Sequence, residues 1–162
     1  MSQLTTHILD TTNGKPAAGV NIIGNVSAGR LLGHGVRPAV LLGAGFLSMA
    51  GGAQLAFAAH VPAQIQYAAI LVFSMMGGLI PATLFSLAIQ LAPRPDAVST
   101  TVGWVQQWSA LGQFAGPPLV AWIAGVAGGW GWTGWAVTAS SAIALVLVAL
   151  LHRLPPPAAQ RT

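Results

Sequence analysis

What most constrains this chain is where its charges are missing. No Asp, Glu, Lys or Arg occurs between Arg37 and Arg94, and none between Asp96 and Arg153. Each run is more than twice the roughly 20 residues that carry a helix across a bilayer. Each therefore holds two spanning helices and a connector, and the break Pro93-Arg94-Pro95-Asp96 separates two helical hairpins. Composition agrees: a soluble domain carries about 25% charged residues, whereas this chain carries 5% with a mean hydropathy of +0.71. The expected fold is an all-α membrane protein of four transmembrane helices with a partial helix at the start. Residues 1–21 are expected to be extended, hairpin-like or disordered.

The spans are placed at about 40–58, 66–91, 99–126 and 131–151, within a membrane region over 22–154, and 155–162 is a tail. In the first span Ala44, Ser48, Gly52 and Ala56 recur every four residues and make a smooth face that another helix can approach closely. Ser74, Gly78, Ala82 and Ser86 repeat this in the second span, where Pro81 predicts a kink. Asp96 or Ser99 is placed to cap the third. Trp130, Trp132 and Trp135 gather where the fourth begins, as indoles do at a membrane interface. Residues 20–29 are apolar and helix-compatible but too short to cross a bilayer, and Arg30 to Pro38 reads as a loop. Gln54 and Gln90 lie near span ends, where solvation accounts for them.

Charge placement tests the count. Four spans put the Arg30 to Arg37 loop, the Arg94 loop and the Arg153 to Arg161 tail on one side, and both charge-free connectors on the other. That asymmetry is the one expected if the arginine side and the C-terminus are cytoplasmic, and the plasma (inner) membrane is the expected location.

Several classes drop out. The net charge of +4 comes from arginines spread along the chain rather than gathered on one face, so nucleic acid is not an expected partner. Without cysteine there is no disulfide framework or thiolate metal site. His34, His60 and His152 fall in or beside loops at no metal-ligand spacing, and neither a metal nor a cofactor is expected. The start of the chain lacks a basic region followed by an apolar core, so no cleaved signal peptide is expected. The expected partners are the lipid bilayer, a small-molecule substrate of unspecified kind, and other membrane helices or further copies of the chain.

Candidate chemistry lies in the third span. Gln106, Ser109 and Gln113 share one helix face, and Pro117-Pro118 follow. Amides at membrane depth face a partner helix or an aqueous cavity rather than lipid, so this face either lines a substrate pathway or bonds a neighbouring helix. Pro117 and Pro118 are expected to bend or interrupt the helix.

Two family resemblances accompany this reading. Leu4 to Leu9 reads as a strand, followed by a turn at Asn13-Gly14 and Lys15-Pro16 and a second strand from near Gly19. Here His7-Ile8-Leu9-Asp10, Gly14-Lys15-Pro16-Ala17 and Val20-Asn21-Ile22 resemble the N-terminal signature of transthyretin-like 5-hydroxyisourate hydrolases. The resemblance implies a β-sandwich enzyme of ureide (purine breakdown) metabolism with His7 in its active site. The family's C-terminal Tyr-Arg-Gly-Ser does not occur in this chain.

Residues 22–154 resemble the end of a major facilitator superfamily transporter, from its eighth helix through its twelfth. Gly29-Arg30-Leu31-Leu32-Gly33-His34-Gly35-Val36-Arg37 is similar to that family's cytoplasmic loop motif, with Gly29, Arg30 and Arg37 in matching places. Gly33 stands where the family has Asp and His34 where it has Arg, the positions of the motif's gating ion pair. Thr101 to Ser109 and Gly116-Pro117-Pro118 resemble the eleventh helix. Such transporters hold substrate between two six-helix halves, which implies here an incomplete transporter, a truncated or fused product joined near Val20 to Ile23 and not competent alone. The hydrolase and a small membrane interaction protein are the alternatives, and an enzyme is the less favoured class.

Overall fold

The structure, a computed structural model, describes residues 9–10, 15–16, 20–58 and 60–153. Two short strands, β1 (Leu9–Asp10) and β2 (Lys15–Pro16), pair antiparallel with Leu9 opposite Pro16 and Asp10 opposite Lys15. The expected second strand near Gly19 is overturned by Val20, which already opens α1 (Val20–Gly33). The rest is helical: α2 (Pro38–Phe57), α3 (Ala63–Gly77), α4 (Leu79–Gln90), α5 (Val98–Val126) and α6 (Trp132–Arg153). This is an all-α membrane protein.

The helix ends follow local chemistry. α1 runs past Arg30, so the expected loop shrinks to His34–Arg37. Gly35 takes φ +82, its N–H donates to the Leu32 carbonyl, and the Val36 N–H reaches back to Leu31 at 3.0 Å. That pair of bonds satisfies carbonyls that the helix end would orphan, and it requires a residue at ease with positive φ. Gly128, at φ +76, closes α5 in the same way, with the Gly129 N–H on the Ala124 carbonyl at 2.9 Å. Pro38 opens α2, where a missing N–H costs nothing. The carbonyl of Ala58, just past the other end of α2, accepts from the Gln66 side-chain amide at 2.8 Å.

The expected second span is two helices. Its break falls at Gly78, one turn before Pro81, whose ring crowds the carbonyl of Gly77 and has no N–H to offer it. Taken together, Ala63–Gln90 is long and apolar enough to cross a membrane, as are Pro38–Phe57 and Trp132–Leu151. α5 is longer than either single helix but is not among these three. Gln106, Gln107, Ser109 and Gln113 lower its hydropathy, so apolarity alone supports three spans where charge-free length predicts four. The capping expectation is also corrected. Ala97 is the N-cap of α5 with no side-chain bond, because a 3-10 turn over Pro95–Ala97 comes first and Asp96 faces Arg94 at 3.5 Å.

Small residues set the packing. A Cβ on Gly24 would collide with the Met75 carbonyl oxygen and lie 3.1 Å from Gly78 Cα, so α1 crosses at the α3–α4 break with backbones touching. Gly45 meets Ile80 and the Met76 carbonyl, and Gly52 meets Phe73 and the Ala69 carbonyl. The buried face of α2 is built on Leu41, Leu42, Gly45, Gly52 and Ala53; of the expected stripe it shares Gly52, while Ala44, Ser48 and Ala56 are half-buried beside it. The reason is that α2 is gripped from two sides, by α3 and by α6. The second stripe fares better: Ser74 and Gly78 are buried, and Ala82 and Ser86 half-buried. Hydroxyls inside helices bond backward, Thr83 to the Leu79 carbonyl at 2.7 Å and Thr138 to Gly134 at 2.8 Å, which hides them from an apolar surround.

Candidate functional site

α5 carries the candidate chemistry, and its two sides differ. At 100° per residue, Gln106, Ser109, Gln113 and Pro117 fall within an arc of about 80°. Trp104, Trp108, Leu111, Leu119 and Trp122 occupy the opposite side, each more than half exposed. On the polar face the Gln113 amide donates to Ser109 Oγ at 3.2 Å, one turn away. Gln106 makes no hydrogen bond among the described residues. All four polar-face positions are exposed, so the structure places them together without covering them.

The reason lies in how α5 is held. Val98, Thr101, Val102 and Val105 near its start, and Val120, Ile123 and Ala124 near its end, are half-buried or buried, whereas every residue from Gln106 to Ala115 is exposed. The helix contacts α4 and α6, and its exposed middle marks the stretch that neither covers. Most of its packed positions, Val102, Val105, Val120, Ile123 and Ala124, lie within or beside the polar arc. The glutamines therefore sit at the edge of the inner side of the bundle, at mid-helix. Of the bend or interruption expected at Pro117-Pro118, the interruption does not occur, since Val98–Val126 is continuous through both prolines.

The loop motif is partly assembled. Arg30 lies in the last turn of α1 and Arg37 caps the backbone of α2, both exposed. His34 Nδ1 donates to the Arg30 carbonyl at 2.7 Å, so the residue standing where the motif has arginine serves the helix end. Among the described residues the Arg94–Asp96 pair is the one salt bridge, and neither arginine of the loop has an acidic partner. A family model described as Major Facilitator Superfamily matches residues 2–162.

The chain belongs to the Major Facilitator Superfamily. No curated protein and no solved structure matches it. The family match takes in residues 4–22, and no match to a transthyretin-like hydrolase accompanies it. His7, the residue which that resemblance would make catalytic, lies outside the described residues. As a major facilitator chain with apolar helices long enough to span, it is an integral membrane protein.

One polar contact escapes sequence reasoning. Gln54, expected to be solvated at a span end, is half-buried and donates to Thr138 Oγ1 at 2.9 Å, tying α2 to α6. The opening for it is Gly134, where a Cβ would lie 3.2 Å from Gln54 Oε1. A Gly-x-x-x-Thr step on α6 facing a glutamine was the available signal, but it needs the α2–α6 pairing to be read.

Proposed function

We propose that this chain contributes the closing helices of one half of a major facilitator transporter, with Gln106, Ser109, Gln113 and Pro117 of α5 lining the path of a small-molecule substrate. The observation that carries the reading is the division of α5 into a polar arc beside its packed edge and an aromatic face opposite. A helix that met only lipid would have no use for two glutamines and a serine gathered on one face. The arc is uncovered among the described residues, so the path requires further helices and the chain does not transport by itself. The arginine-bearing ends, with Gly29, Arg30 and Arg37, face the cytoplasm at the plasma membrane.

Because the chain has no cysteine, single cysteines report cleanly. In liposomes, Gln106→Cys, Ser109→Cys and Gln113→Cys react with a water-soluble thiol reagent faster than Trp108→Cys and Leu119→Cys. Equal rates on both faces would remove the pathway reading. Uptake of any solute by liposomes holding this chain alone would show that its helices suffice.

A further inference from the structure

At the arginine-bearing end, the start of α2, the middle of α4 at Leu84 and the end of α6 enclose an open groove of about 700 Å³. Leu42, Phe46, Leu84, Leu147 and Leu151 make its walls, and Arg153 stands at its mouth. The groove exists because α2 and α6 are pinned at the opposite end, where Gln54 meets Thr138 and Gly134 brings the backbones together. Toward the arginine end α6 offers leucines and valines that the described residues leave open: Val146, Leu147 and Leu150 are each more than half exposed.

We infer that this groove holds an anionic phospholipid, one acyl chain between α2, α4 and α6 and the phosphate on the Arg153 guanidinium. Three observations fit that occupant. The lining is aliphatic and aromatic apart from one cation, which matches a molecule with an apolar tail and one negative head. Arg153 is exposed and has no acidic partner among the described residues. The depth also suits a single leaflet: Phe46 lies eight residues into α2, about 12 Å from its start, against roughly 15 Å for half of a bilayer's hydrocarbon core. A free anion would satisfy Arg153 and leave the leucines bare, and a neutral lipid would leave the guanidinium unpaired. The site shares no residue with the α5 arc and does not depend on the pathway reading.

The test is native mass spectrometry of the full chain released from micelles doped with phosphatidylglycerol or with phosphatidylcholine of the same acyl chains. The expected result is about fivefold greater retention of phosphatidylglycerol, the worth of one basic residue against an anionic head. Arg153→Gln removes that preference and Arg153→Lys keeps it, both at an exposed position where folding is not at stake. Leu147→Trp, which fills the groove, lowers retention of both lipids, and Arg94→Gln at the same end changes neither. The inference is overturned if the wild type shows no preference, if the preference survives Arg153→Gln, or if Leu147→Trp leaves retention unchanged. Dimers that dissociate on Leu147→Trp would show a second copy in the groove instead, and would overturn it equally.

Discussion

At the scale of single residues, the fold rests on a few places where side chains are absent or hydroxyls are matched. Gly24 is the most demanding, because what a Cβ would strike there is the Met75 carbonyl, which as backbone cannot swing aside. Gly24→Leu is therefore expected to detach α1 from the α3–α4 break, read as new proteolytic cleavage near Asn25 or Ala28 while α2 and α6 stay protected. The Gln54–Thr138 bond makes a smaller contribution. A double-mutant cycle with Gln54→Leu and Thr138→Val should give a coupling of about 0.6 kcal/mol, the usual worth of an interhelical bond in a membrane. Coupling indistinguishable from zero would mean that the amide prefers another partner. Thr133 makes the opposite case: its Oγ1 is buried and bonds nothing among the described residues. Thr133→Val keeps the shape and removes the unmet hydroxyl, so it should be neutral or stabilising by up to about 1 kcal/mol. A clear loss in a detergent unfolding series would contradict that.

At the scale of elements, the sequence and the structure part company where a helix has two neighbours or mixed faces. The charge-free runs located α2, α6 and the α3–α4 pair within a few residues, since length and apolarity suffice for helices of this kind. The kink before Pro81 was equally legible, because the ring's effect on the preceding turn is local. The buried face of α2 was legible only at Gly52: a four-residue small-residue stripe assumes one partner, and Gly45, Gly52 and Ala53 serve two. The candidate site was legible as a face, since Gln106, Ser109 and Gln113 are set by helical period alone. Its exposure was not, because that depends on α4 and α6 leaving the middle of α5 uncovered. α5 also makes a prediction of its own. Trp104 and Trp122 share its outer face eighteen residues apart, about 27 Å along the axis, close to the roughly 30 Å of a hydrocarbon core. In single-tryptophan variants, shallow quenchers should reach Trp104 and Trp122 best, and lipids brominated at mid-chain should reach Trp108 better than either. A single depth for all three would mean that the helix lies along the membrane surface.

At the scale of the whole molecule, the antiparallel packing brings the charges to one end. Leu42 near the start of α2 shares a groove with Arg153 at the close of α6, while Gln54 near the end of α2 meets Thr138 near the start of α6. Arg37 and Arg153 thus lie toward one end of the bundle, and Trp130, Trp132 and Trp135 lie toward the other, exposed as interfacial indoles are. An alternating four-span arrangement requires α5, the helix that apolarity alone leaves out, to cross the membrane as well. The most direct test is side-specific labelling of single cysteines at Val36, His60, Pro93 and Gly129 in the otherwise cysteine-free chain. The account predicts that positions 36 and 93 label from one side of the membrane and 60 and 129 from the other. Labelling of 93 and 129 from the same side would contradict it, because α5 would then not cross.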